Sequence, residues 1–187
     1  MKNLKLFENF DSDIQLIVCE DIKEFKRIFS KDADYTNDFS HFIEWISNNK
    51  KSIDEYEQWI IYLIKYKDKY IGTISVVNAG SYLSEYWLSF FTILNRYRRL
   101  GIGQKVINIF IKKLKKIKSS FRLMLQVDKT NKGAQNLYLR CVFKFISIDD
   151  YIEYTLKNMD PEQIDVEIWE KGTRESLSES FLMYKDI

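Results

Sequence analysis

Residues 96–106 read RYRRLGIGQKV: three arginines lead into two glycines one residue apart, and a lysine-rich run follows. The 187-residue chain holds only six glycines and one proline. Two glycines within three positions therefore mark a place where the backbone must stay bare. Upstream, EYWLSFFTI (85–93) has the β-branched and aromatic content of a strand. Downstream, Val106, Ile107, Phe110, Ile111, Leu114 and Ile117 recur at helical spacing, which predicts an amphipathic helix over 103–118. Lys105, Lys112, Lys113, Lys115 and Lys116 fill its other face.

The quoted stretch thus joins the end of a strand to the start of a helix. Unpaired amides and the positive end of the helix dipole favour an anion there. Glycine lets the backbone approach that anion closely, and Arg98 and Arg99 add charge. A pyrophosphate is the expected ligand. A dinucleotide fingerprint would need a third glycine at Val106, and the ATP-binding loop would need GKS or GKT where Gln104-Lys105 stands.

Composition agrees with a compact folded chain: 45% apolar, 16% aromatic and 30% charged residues. Its length suits one domain over 1–187. The longest apolar run, Trp59–Ile64, is far shorter than the roughly 20 residues that span a bilayer. The start MKNLKLFENFDSD lacks the apolar core of a secretion signal, so a cytoplasmic location without membrane contact is expected. Cys19, Cys141 and His41 are too few for a zinc site, a disulfide framework or a nucleophile–histidine pair. No metal is expected, and His41 reads as an ordinary surface or helix residue.

Elsewhere, IQLIVCE (14–20) reads as a strand and IKEFKRIF (22–29) as a helix started by Asp21 and Glu24. DFSHFIEWISNN (38–49) sets Phe42, Trp45 and Ile46 on one helical face. QWIIYLIKYKDKYIGTISVV reads as a hairpin turned at Lys67-Asp68-Lys69. FRLMLQVD (121–128) is a further strand and NKGAQNLYLR (131–140) a helix. Charge is uneven along the chain. From residue 149 onward eleven acidic residues face four basic ones, a balance of −7 within a net +2, so residues 1–148 carry +9. Between Glu85 and Asp128 there are ten basic residues and no acidic one. The middle of the chain invites an anion and the tail a cation.

FTILNRYRRLGIGQKV resembles the pyrophosphate-binding segment of the GNAT superfamily of N-acetyltransferases. In that pattern a strand is followed by Gln or Arg, two residues, Gly, one residue, Gly or Ala, and then a helix; Arg98, Gly101 and Gly103 meet it. LMLQVDKTNKGAQNLYLRCVF resembles the same family's second signature, with Asn131, Ala134 and Tyr138 in register. The resemblance covers residues 70–146. It implies an α+β fold: one mixed, mostly antiparallel seven-stranded sheet flanked by about four helices, with acetyl-CoA between splayed central strands 86–93 and 121–128.

By the same resemblance, the backbone of Phe91, Thr92 and Ile93 lies along the pantetheine arm. The amides of Arg98, Arg99, Leu100, Gly101, Ile102, Gly103 and Gln104 hold the pyrophosphate. Asn131 and Tyr138 border the cofactor, and Asn131 can also cap the 132–140 helix. Tyr138 serves as the acid for the departing thiolate, since a phenol of pKa about 10 can donate to a group near 8.5. Where some relatives carry a glutamate base, Gln126 stands here. Glu85 is the best remaining carboxylate, with Asp128 behind it; the ordinary expectation for each is an exposed ion-pair partner, with a water chain as the alternative base. Val142-Phe143 replaces the family's usual Gly-Phe. An acidic connection around 150–178 precedes the last strand and would border the acceptor, favouring a cationic amine. The implied partners are acetyl-CoA and that amine, without nucleic acid, and a homodimer is open beside a monomer. Two other readings stay open: an acetyl-CoA-binding protein without catalysis, and a nucleic-acid module built on the lysine-rich helix.

Overall fold

The computed structural model describes residues 13–19, 22–29, 59–78, 85–158 and 165–187. The expected helix over 38–49 and His41 lie outside these residues. Seven strands form one mixed sheet, β1 (Ile14–Val18), β2 (Trp59–Tyr66), β3 (Lys69–Asn78), β4 (Glu85–Ile93), β5 (Arg122–Asp128), β6 (Lys144–Ile146) and β7 (Ser180–Asp186). Their order across the sheet is β1-β2-β3-β4-β5-β7-β6. Five α-helices accompany them among the described residues: α1 (Ile22–Phe29), α2 (Ile102–Ile117), α3 (Lys132–Arg140), α4 (Ile148–Asn158) and α5 (Val166–Leu177). The chain therefore carries at least one helix more than the expected four. The additional structure is in the acidic stretch read as a connection, where α4 and α5 lie.

The chain divides into two compact units, Met1–Val76 with Phe90–Lys113, and Val77–Ser89 with Leu114–Ile187. In the first unit, β1 and β2 run antiparallel with Ile14 opposite Tyr66 and Val18 opposite Tyr62. Lys67, at φ 52°, makes the left-handed turn into β3 at the expected place. Helix α1 buries Phe25 and Phe29, four residues apart, against Leu63 and Leu94. Of the six apolar positions expected to line α2, five are buried. Ile117, 52% exposed, has run past the covered face in the last turn.

In the second unit β4 and β5 run parallel, paired from Glu85 opposite Arg122 to Leu88 opposite Leu125. Both strands continue beyond that four-rung ladder. β7 returns antiparallel beside β5 with Arg122 opposite Asp186 and Asp128 opposite Ser180, and β6 closes the edge. Met124, Tyr151, Leu177 and Leu182 form the core under α4 and α5, with Trp87, Ile146, Ile148 and Tyr184 packed around them. Ser147 caps the start of α4: the Asp150 amide donates to the serine Oγ at 3.0 Å, and that hydroxyl donates to the Asp150 carboxylate at 2.6 Å.

Helix α3 ends in a Schellman motif. The Phe143 amide donates to the Tyr138 carbonyl at 3.0 Å and the Val142 amide to Leu139 at 2.9 Å. This geometry needs a left-handed residue, and Val142 supplies it at φ 66°. A β-branched side chain is strained there, while 65% exposure means that its isopropyl group gains little from burial. The replacement of the family's glycine therefore leaves the turn intact at an energetic cost. Val142→Gly is expected to raise stability by about 1 kcal/mol, seen as a rise in Tm of about 2–4 °C in a thermal melt.

Candidate active site

In the first unit the segment Phe90–Gln104 is shaped by β3. Phe90 lies within β4 yet has φ 45°, a left-handed break in the strand. Its carbonyl accepts the buried Thr73 hydroxyl at 3.2 Å, and its ring lies 6.0 Å from Trp59. Two residues on, the Thr92 carbonyl presses against Gly72, where a Cβ would fall 2.1 Å from that oxygen. The Leu94 amide then donates to Ile71 at 2.8 Å. Ile71, Gly72 and Thr73 thus set the path of Phe91, Thr92 and Ile93. An isolated glycine inside a strand signals close backbone approach, and that signal was available at Gly72.

After β4 a single 3-10 turn (Asn95–Tyr97) leads to Arg98, whose Nε donates to the Ile93 carbonyl at 2.6 Å. Arg99 at φ 62° and Gly101 at φ 75° turn the chain into α2. At Gly101 a Cβ would meet nothing within 4 Å, so its backbone angle, not crowding, calls for glycine. The Lys105 amide bonds back to the Gly101 carbonyl at 3.4 Å, and the amides of Ile102, Gly103 and Gln104 precede that bond without intrahelical partners. The first turn has no acidic residue, and Arg98 to Gly101 are exposed. Amide hydrogens, dipole and basic flank fit a diphosphate.

In the second unit, Glu85 is the outstanding group. It is 0% exposed, and its two carboxylate oxygens are the buried side-chain oxygens without a hydrogen bond among the described residues. The expectation of an exposed ion-pair partner is corrected: the parallel register turns Glu85 into the sheet interior beside Arg122. Burial raises its pKa to about 7; the charge of Arg122 and the Trp87 indole N–H, which falls short of hydrogen-bond geometry, pull the other way. Tyr151, pushed up to about 12 by burial and by the charge of Glu85, packs edge-on to Trp87 at 5.8 Å.

The other expected residues have defined places. Asn131 is the N-cap of α3, accepting from the Ala134 amide at 3.0 Å. Tyr138, two turns along that helix and 7% exposed, packs on Phe143 at 5.7 Å, and burial drives its phenol well above the ordinary value. Asp128 is exposed as expected, but among the described residues its partners are the Thr130 hydroxyl at 2.5 Å and the Thr130 amide at 2.6 Å, which lower its pKa, and not a cation. Gln126 spends its amide on Ser176 and Ser180, at 3.1 and 3.0 Å. Sequence reasoning missed Gly72, Thr73, Arg122 and Asp186. Among the described residues no group of three or more His, Cys, Asp or Glu gathers in a metal-like cluster, and no helix is long and apolar enough to cross a membrane.

The model of the Acetyltransferase (GNAT) family matches residues 19–143. No curated protein matches by sequence. Among solved structures, an acetyltransferase from Streptococcus agalactiae is similar at TM-score 0.60 and 16% identity, over 94% of this chain and 99% of that one. Campylobacter jejuni N-acetyltransferase PseH in complex with acetyl coenzyme A is similar at 0.56 and 18%, over 92% and 97%. Spermidine N-acetyltransferase from Vibrio cholerae, in complex with CoA and spermine, is similar at 0.54 and 15%, over 73% and 84%. At these identities the likeness is one of fold.

Two stability measurements check this geometry. Gly72→Ala forces a Cβ onto the Thr92 carbonyl and is expected to cost about 1–3 kcal/mol in denaturant unfolding. Glu85 takes up protons on folding, because its folded pKa lies above its ordinary value of 4.5. Its favourable contribution is complete below pH 4.5 and is lost as pH rises through about 7. Glu85→Gln should therefore become stabilising relative to the parent between pH 5 and pH 8, with a gap of roughly 3 kcal/mol; a gap that does not change with pH would contradict the raised carboxyl.

Proposed function

This chain belongs to the Acetyltransferase (GNAT) family, and from that premise we propose that it transfers the acetyl group of acetyl-CoA to the amine of a cationic acceptor, a polyamine, an aminoglycoside or a peptide amine. Acyl transfer is the family's chemistry. The acceptor class rests on the tail's balance of −7 and on a buried carboxylate that no cation hydrogen-bonds. We read residues 1–187 as one catalytic domain working in the cytoplasm.

The observation that carries the reading is the turn from Arg98 to Gln104, whose bare amides and basic flank suit the diphosphate of a coenzyme. The backbone of Phe91, Thr92 and Ile93 is assigned to the pantetheine arm, and Asn131 to the cofactor's border. Glu85 is assigned as general base. An acceptor amine arrives protonated near neutrality and must lose a proton before it attacks. A carboxylate of pKa about 7 is matched to that removal at working pH. Tyr138 keeps its proton throughout the working range because burial raises its phenol. As a weak acid it stabilises the departing thiolate chiefly as a hydrogen-bond donor, and completes the transfer only as negative charge develops on sulfur.

A thiol-release assay with acetyl-CoA against polyamines, aminoglycosides and peptides tests this reading. Tyr138→Phe is expected to lower kcat about 10²–10⁴-fold with acetyl-CoA affinity unchanged. Equal turnover would remove Tyr138 from the mechanism. Acetyl-CoA binding by the parent without transfer to any amine would instead favour a non-catalytic binder.

A further inference from the structure

The strand registers place three charged residues in one row. Glu85 on β4 is opposite Arg122 on β5, and Arg122 is opposite Asp186 on β7. Cross-strand partners share a face of the sheet, so a single guanidinium stands between two carboxylates. It is bonded to one of them: Arg122 Nε donates to Asp186 Oδ1 at 2.8 Å, while neither oxygen of Glu85 is bonded. On energy alone the choice is unexpected, because an ion pair is stronger at the buried carboxylate than at Asp186, which is 65% exposed.

Two rings account for it. The guanidinium carbon is 4.0 Å from the centre of the Tyr154 ring, on α4, and 4.7 Å from that of Tyr184, on β7. Aromatic faces on a planar cation fix the direction of its N–H fork. Here the Nε–H points along the row to Asp186, and Glu85 feels the charge without receiving a hydrogen bond. A carboxylate with unclaimed lone pairs can accept a proton from a substrate; one in a bidentate arginine pair cannot do so without breaking that pair.

We propose that Asp186, Tyr154 and Tyr184 are positioning residues that hold Arg122 away from Glu85 and so keep Glu85 available as the base. The inference rests on the assignment of Glu85 to that role. Without Asp186 the guanidinium would turn to the remaining carboxylate and pair with it.

The groups facing Glu85 are Arg122 from β5 and Tyr151 and Tyr154 from α4, with Asp186 and Tyr184 reaching it through Arg122 from β7. Arg122 stays charged, since Asp186 raises its pKa, and Tyr151 and Tyr154 stay neutral through neutrality, since burial raises theirs. Between pH 5 and 9 the titration seen at this point of the row is therefore that of Glu85.

The test is NMR titration of the full chain carrying side-chain 13C-labelled glutamate, with Glu85→Gln assigning the signal. In Asp186→Asn the Glu85 midpoint is expected to fall by about one pH unit or more, as Arg122 swings to it. In Arg122→Gln it is expected to rise by a similar amount. Asp186→Glu, which keeps the charge, should restore the parent midpoint. An unmoved midpoint in Asp186→Asn, with Arg122→Gln still raising it, would overturn the proposal, because the charge would then act without the clamp. The acid limb of kcat/KM for acetyl transfer, measured on the same variants, separates the two levels. A limb that follows the NMR midpoint supports both the clamp and the base. A midpoint that moves while the limb stays fixed supports the clamp and overturns the assignment of Glu85.

Discussion

β4 is paired with β5 over only four rungs and then changes hand at Phe90. That constraint on one strand determines how the rest of the chain is used. Up to Leu88 the strand belongs to a regular parallel ladder, and the ladder carries Glu85 into the interior next to Arg122. From Phe90 on, the residues are held by β3 instead, through a hydroxyl on the Phe90 carbonyl and a glycine that makes room for Thr92. A left-handed phenylalanine costs of order 1–3 kcal/mol and persists only where its surroundings over-determine it. Here they do: hydroxyl, ring packing on Trp59 and backbone crowding all act within three residues. The same strand thereby contributes a buried carboxylate from one half and an irregular backbone edge from the other.

Much of this was legible in the sequence wherever the signal is local. The glycines of RYRRLGIG, the stripe on α2 and the capping asparagine of α3 each follow from a few neighbouring residues, and the helix starts within one residue of its expected place. Helices α4 and α5 were hidden by their own charge. Tyr151, Ile152 and Thr155 do repeat at helical spacing, but the acids around them read as a solvated connection. The burial of Glu85 could not be read at all. One carboxylate at the edge of an apolar run has no local signature, and its environment is set by a register with residues 37 positions further on. Val142 is an intermediate case: the departure from glycine was visible, and only the structure shows that the turn survives it.

The two charged features of the sequence have different fates. The basic run around α2 is partly consumed by structure: Arg98 holds the end of β4 and Lys113 donates to the Leu16 carbonyl at 3.0 Å. Side-chain charge at the turn is therefore less available to an anion than a count of arginines suggests, and the amides ahead of α2 gain in relative importance. This also weakens the case for a nucleic-acid surface, which needs a continuous array of mobile cations along the helix.

The acidic tail is depleted in the same way, which narrows where a cationic acceptor could be drawn. Asp149 and Glu170 share Arg174, at 2.7 and 2.8 Å, Asp150 accepts the Ser147 hydroxyl at the start of α4, and Asp165 caps α5 by accepting from the Ile168 amide at 3.1 Å. With Asp186, which is paired with Arg122, five of the eleven acids thus have local duties, and neutralising them would disturb local contacts before it changed any long-range field. Exposed ion pairs contribute little stability in water, yet they cancel charge as seen from a distance. For the proposed cationic acceptor, the field that remains is then carried by acids such as Glu153, on the exposed face of α4 one turn from Asp149, and inside the protein by Glu85. Attraction at the surface and proton removal in the interior are assigned to different carboxylates, so substrate affinity and the pH dependence of turnover should respond to different substitutions.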